Sequence, residues 1–243
     1  SKITFDHQFQ GQFGSVGAED GRFVWPRSID LDNHGRVFVS DEHVNRITIF
    51  DEEGAYRYHW GRSGSEDGQL NGPSGIAFDS LGTLWVVDSL NHRVQSFSQI
   101  GEFQSKFGKQ GGGDGDLEMP WGICIDRQDN IYVADWGNNR VQKFTPTGEL
   151  LVKFECSSTG VGSLKGPSGV AVDSDGDVYV TDWGNHRVQI YAADGHYITA
   201  LVGDAQEPSP WTQTYIDANP DIIKARRRAD LEPEWRFRRP VAV

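Results

Sequence analysis

The sequence predicts an all-β fold, a β-propeller of four-stranded blades, and three observations predict it. Pro26, Pro73, Pro120 and Pro167 recur every 47 residues, in step with Asp41, Asp88, Asp135 and Asp182 and with Arg46, Arg93, Arg140 and Arg187. Each period holds four short runs rich in β-branched and aromatic residues, the length of buried strands. Turn residues separate the runs.

Within one period the first strand follows the Pro, as in Gly75-Ile76-Ala77-Phe78. The second precedes the Asp: Val37-Phe38-Val39-Ser40-Asp41 and its three counterparts are β-rich apolar runs of buried-strand length. The third follows the Arg, as in Val94-Gln95-Ser96-Phe97, and the fourth ends at Trp60, Phe107 or Phe154. Between strands one and two stands Asp32, Asp79, Asp126 or Asp173, followed in three copies by Gly35, Gly82 or Gly176. There the Asp can bond its own backbone and the Gly can supply positive φ. Four antiparallel strands per repeat make one propeller blade.

The third strand opens on Asn91-His92-Arg93-Val94-Gln95, repeated as Asn138-Asn139-Arg140-Val141-Gln142 and Asn185-His186-Arg187-Val188-Gln189. With Pro167-Ser168-Gly169-Val170-Ala171-Val172-Asp173 and Tyr179-Val180-Thr181-Asp182, this resembles the NHL repeat through four copies from Pro26 to about Leu201. The first copy departs, with Val44-Asn45-Arg46, which keeps the Arg. The resemblance implies a single propeller domain over 1–243 and a parent ring of about six blades.

The end copies are partial, so the propeller is expected to be incomplete. Phe9 and Phe13 align with Phe103 and Phe107, as the last strand of a preceding blade, and Phe237-Arg238-Arg239-Pro240-Val241 begins a fifth copy. Before that fifth copy lies an insertion, about 203–234, in which Ser209-Pro210 and Asn219-Pro220 are N-cap and first-turn pairs. They predict two short helices, about 210–218 and 220–230.

The net charge of −12 weighs against a phosphate-backbone partner, although 224–240 is basic, with seven bases against three acids. No apolar run is long enough for a membrane helix, and Ser1 to Asp6 lack a signal-peptide pattern. Cys124 and Cys156 occupy unrelated repeat positions and read as reduced core thiols. His92 and His186 recur in the signature slot and read as packing residues. His7, His34, His59 and His196 have no partner at metal-ligand spacing, so neither a metal nor another cofactor is expected. Asp173-Ser174-Asp175-Gly176-Asp177 opens like a calcium loop, but Gly184 stands where the bidentate Glu belongs, and a turn is the reading. The Asp and Arg anchors, present four times, are structural, and no residue is assigned a catalytic role, since a ring needs at most one active site.

Function in a repeat protein lies where the repeat is broken, on the loops of one face. After the Asp anchors come Glu42-His43, Ser89-Leu90, Trp136-Gly137 and Trp183-Gly184; after the Pro anchors come Arg27, Ser74, Trp121 and Ser168. Both sets fall at one end of the blades. Trp25, Arg27, Glu42, His43, Trp121, Trp136 and Trp183 are therefore the candidate ligand-binding residues. Aromatic side chains with an Arg are the composition of a binding hot spot for a protein, peptide or glycan. The same Trp residues could instead pack between blades.

The family resemblance adds two other classes. NHL-like propellers include amidating lyases and resemble lactonases that hold a metal in the central channel. The lyases place His directly after the blade Pro, where this chain has Arg27, Ser74, Trp121 and Ser168. NHL domains of tripartite-motif proteins bind RNA on a basic loop face. Here the corresponding loops carry Glu19, Asp20, Glu42, Glu66 and Asp67, so no nucleic-acid partner is expected.

Overall fold

A computed structural model describes residues 2–3, 9–155, 162–202 and 239–241. It is a four-bladed, all-β propeller. A short N-terminal pair, β1 (Lys2–Ile3) and β2 (Phe9–Gly11), precedes the blades. Blade 1 is β3 (Pro26–Leu31), β4 (Val37–Asp41), β5 (Arg46–Phe50) and β6 (Tyr56–Trp60). Blade 2 is β7 (Pro73–Phe78), β8 (Leu84–Asp88), β9 (Arg93–Phe97) and β10 (Phe103–Phe107). Blade 3 is β11 (Ile123–Ile125), β12 (Ile131–Asp135), β13 (Arg140–Phe144) and β14 (Leu150–Phe154). Blade 4 is β15 (Pro167–Val172), β16 (Val178–Asp182), β17 (Arg187–Tyr191) and β18 (Tyr197–Leu201). Every blade is an antiparallel meander in chain order, and the inner strands β3, β7, β11 and β15 touch in sequence.

Among the described residues the only helical turns are three short 3₁₀ turns after Asp88, Asp135 and Asp182. The expected helical pair at 203–234 lies outside the described residues, apart from its surroundings at Val202 and Arg239. The expected parent ring of about six blades is not supported: the described residues form four.

The core lies between blades, because each sheet is apolar on both faces. Phe38, Ile47 and Ile49 of blade 1 pack on Leu84, Val86 and Phe97 of blade 2; Trp85 and Val94 pack on Ile131 and Phe144 of blade 3; Tyr132 and Phe154 pack on Val180 and Tyr191 of blade 4. The last aromatic of each outer strand stacks on the next blade: Trp60–Phe97 at 4.9 Å, Phe107–Phe144 at 4.7 Å and Phe154–Tyr191 at 5.9 Å. Phe13 stands 4.7 Å from Phe50 in the same relation. The loop after it repeats too, since the isolated bridge Val16–Phe23 matches Ser63–Leu70 and Gln110–Leu117. Phe13 thus sits where the alignment with Phe107 puts it, at the end of an outer strand ahead of blade 1.

The anchors form one buried network per blade. Asp88 accepts hydrogen bonds from the Asn71 backbone N–H (2.6 Å), Asn91 Nδ2 (2.8 Å), Arg93 Nε (2.8 Å) and Gln95 Nε2 (3.0 Å). Asp135 and Asp182 repeat the set with Arg140 and Arg187. The far end of each guanidinium donates to carbonyls of the loop entering its blade, Glu66 and Gln69 for Arg93. Burial pushes the carboxyls of Asp88 and Asp135 above the usual carboxylate range, against those donors. Blade 1 has the weaker version foreshadowed by its altered signature. Among the described residues Asp41 accepts only backbone N–H groups, from Val24, Trp25, His43 and Val44, and Arg46 Nε is buried without a hydrogen-bond partner.

The signature slot after Asn91 has a specific task. Asn45, His92, Asn139 and His186 all take left-handed backbone, with φ between 54° and 57°. Each side chain accepts the backbone N–H at the entry of the next blade: Gly72 on Asn45 (2.7 Å), Met119 on His92 (3.1 Å), Gly166 on Asn139 (2.9 Å) and Arg239 on His186 (3.0 Å). Asn and His share both requirements, an acceptor at that reach and tolerance of positive φ. His92→Asn is therefore expected to leave the thermal midpoint unchanged within error. His92→Leu should lose about 1 kcal/mol, measured by urea unfolding; equal losses for both variants would show that the bond to Met119 is not what the slot provides.

Candidate functional site at the loop end of the channel

Pro26 pairs with Asp41, Pro73 with Asp88 and Pro167 with Asp182, so the loops after the Pro and Asp anchors share one end of the propeller. Below that end runs a central cavity of about 620 Å³, lined by the four inner strands and Val241. Its wall is built by close backbone approach. The Trp121 carbonyl accepts from Ser74 Oγ (2.7 Å) and the Gly75 N–H (2.9 Å), and a Cβ on Gly75 would stand 2.8 Å from that oxygen. Glycine is what lets blade 3 seat on blade 2 there.

Six of the seven sequence candidates form one chain of contacts. The Arg27 guanidinium of blade 1 lies over the Trp25 ring at 5.4 Å and over the Trp121 ring of blade 3 at 5.2 Å, bridging the mouth. Its Nε donates to Glu42, and both side chains stay about 30% exposed (28% and 29%). His43 flanks Trp25 at 6.5 Å, and Trp136 meets Trp121 edge-on at 6.1 Å. Trp25 is 56% exposed, while Trp121 and Trp136 are half-buried. Trp136 follows the packing reading. Trp136 turns its indole N–H against Gly166 at the entry of blade 4, where it is buried without an acceptor, so this ring packs between blades while its edge meets Trp121. Trp183 lies at the same end on blade 4 and pairs with Arg239, 4.7 Å above its ring.

Arg239 and Lys165 were not singled out from sequence. Arg239 has φ 51° before Pro240, as Met119 has φ 46° before Pro120, and the Pro240 carbonyl accepts from Ser168 Oγ at 2.9 Å. These residues occupy the entry position of a blade beyond blade 4. Their distance from Leu201 hid the Arg from the loop sets. Lys165 is exposed beside Trp183-Gly184, its carbonyl accepting the Gly184 N–H at 2.8 Å. Deeper in the wall, Asp30 is pushed up by burial and holds the N–H groups of Phe78 and Leu31 at 2.8 Å each.

Other sequence readings find their places away from the mouth. Asp173 accepts the N–H groups of Asp175 (2.9 Å) and Asp177 (3.0 Å), the geometry of a turn. Among the described residues no three His, Cys, Asp or Glu side chains are grouped to hold a metal, and no helix is long and apolar enough to cross a membrane. Cys124 lines the cavity, and burial pushes its thiol from 9.0 up to about 12. In a Cys156→Ser background its thiolate fraction at pH 8 should then be about a thousandfold below that of an unperturbed thiol. Ellman's reagent is expected to label it far more slowly in the native protein than on unfolding; equal rates would contradict the raised thiol pKa.

Residues 70–97, 117–144 and 164–191 match the model of the NHL repeat. No curated protein sequence matches the chain. Among solved structures it is similar to virginiamycin B lyase from Staphylococcus aureus (17% identity, TM-score 0.56, covering 72% of this chain and 54% of the lyase). A catalytically inactive variant of that lyase with quinupristin is also similar, at 20% identity and TM-score 0.56, over 72% and 55% of the two chains. A chain of a nidogen/laminin complex matches at 21% identity and TM-score 0.52, over 69% and 60%. The chain spans little more than half the length of the lyases, and likeness at this identity concerns the fold.

Proposed function

The chain is an NHL-repeat β-propeller, and from that premise we propose that it is a binding scaffold that holds a protein or peptide, or a glycan, on its loop face. One observation carries this reading: Arg27 reaches from blade 1 to stack on Trp121 of blade 3, with Trp25 exposed beside it. The repeat does not require this contact, because Ser74 and Ser168 occupy the Arg27 position in blades 2 and 4. An Arg held against two tryptophan rings at a cavity mouth is a preorganised anchor, fixed before a ligand arrives. The partner complex among the structural neighbours is in keeping with this use of the fold.

The alternative, a metal-dependent enzyme resembling the amidating lyases or lactonases, draws on fold likeness alone, and no grouping of described side chains favours it. A random peptide-display library selected against the immobilised chain tests the binding reading. Enriched peptides should lose binding to a Trp25→Ala/Trp121→Ala variant that still unfolds cooperatively. Enrichment indifferent to both substitutions would sink it.

A further inference from the structure

We infer that the loop-face site takes an acidic peptide segment, one carboxylate seated on the terminal nitrogens of Arg27 and a second toward Lys165 and Arg239; this rests on the binding reading above. The Arg27 fork is half used. Glu42 occupies Nε, and the two terminal nitrogens have no hydrogen-bond partner among the described residues. The Trp25 and Trp121 rings lie 5.4 and 5.2 Å from the guanidinium carbon, and an aromatic ring offers those nitrogens no in-plane acceptor. A planar fork with two parallel N–H donors is complementary to a carboxylate.

Arg239 repeats the pattern on the blade 4 side, its guanidinium over Trp183 and without a hydrogen-bond partner among the described residues. Lys165 stands beside the same Trp-Gly turn, at the repeat position held by Glu118 in blade 3. Arg27 and Val241, two residues after Arg239, line one cavity, and the loops that carry Arg27 and Trp183 share one end of the propeller. The mouth carboxylates are engaged locally, Glu42 with Arg27 and Glu118 with Gln110, whose Nε2 donates to it at 3.4 Å. Three bases at this mouth contrast with a chain whose net charge is −12, so recognition is short-range rather than steered. Asp30, already bonded to two backbone N–H groups in the wall, keeps the acidic ligand at the mouth.

The test uses the same display selection on the chain as it stands. Enriched peptides should carry paired Asp or Glu, and a Glu→Gln substitution in the peptide should weaken binding about tenfold. Against Arg27→Gln or Arg239→Gln, one of the peptide's Glu→Gln changes should lose most of that effect, and Arg27→Lys should not restore it. Peptides that are neutral or basic yet depend on Trp25 and Trp121 would overturn the acidic preference and leave the binding face standing. Selection that yields no Trp-dependent peptide would overturn both. Acidic peptides whose binding ignores Arg27 and Arg239 would place the carboxylates elsewhere and defeat the assignment.

Discussion

Asp88→Ala is expected to destabilise the propeller by about 3–5 kcal/mol, the cost of removing one partner of a buried charge pair. Four donors converge on this carboxylate, and Arg93, which holds the loop carbonyls of Glu66 and Gln69, would keep its buried charge with only the half-exposed Asp67, 3.8 Å from its Nη1, as counter-ion. The damage should therefore reach across the junction between blades 1 and 2. Asp88→Asn keeps the volume and one acceptor oxygen, so it should cost less than the Ala variant. Asp41→Ala is the internal comparison: among the described residues Asp41 accepts only backbone N–H groups, and Arg46 is already without that partner. Chemical denaturation of the three variants checks the order, Asp88→Ala largest. Equal losses at Asp41 and Asp88 would mean that the Arg, Asn and Gln of the complete signature add nothing.

Ile76→Ala should cost about 2–5 kcal/mol, whereas Ile29→Ala, at the same position of the repeat, should cost less than about 1 kcal/mol. Ile76 is 4% exposed in the core between blades 1 and 2; Ile29 is 60% exposed because no described blade covers that end of β3. Leu31, 57% exposed, belongs to the same open face. Phe13 and Phe23 cover only the part of the blade around Val37, Val39 and Phe50. Urea unfolding of the pair measures the difference directly. A loss at Ile29 as large as that at Ile76 would show that the face is buried in solution.

Much of the fold was legible because the propeller repeats its physics along with its length. The Pro, Asp and Arg spacings placed every blade strand, and the equivalence of Phe13 with Phe107 held down to the ring that each packs upon. The frame's chemistry was legible in kind, with the Asp tied to backbone or to Arg, because four copies cannot each be an active site. The bond from His92 to Met119 was not, since it joins residues 27 apart across a blade junction and looks like packing in a linear reading. The candidate mouth was half legible: departures from the repeat pointed to Arg27, Trp121 and Glu42. They could not show that Arg27 crosses to blade 3, nor that Trp136 turns its N–H inward. Arg239 was missed because 73 residues rather than 47 separate Pro240 from Pro167, which detached it from the loop sets.

The central claim is that positions breaking the repeat at one end of the cavity bind the ligand, while the repeated frame only holds them. Hydrogen–deuterium exchange of the chain with and without a display-selected peptide tests this most directly. Protection is expected in the segments around Trp25–Arg27, Glu42–His43 and Met119–Trp121, and around Trp183, with no change at the opposite turns near Gly35, Gly82, Asp129 and Gly176. Protection confined to those opposite turns or to the outer strands β6, β10, β14 and β18 would contradict the account.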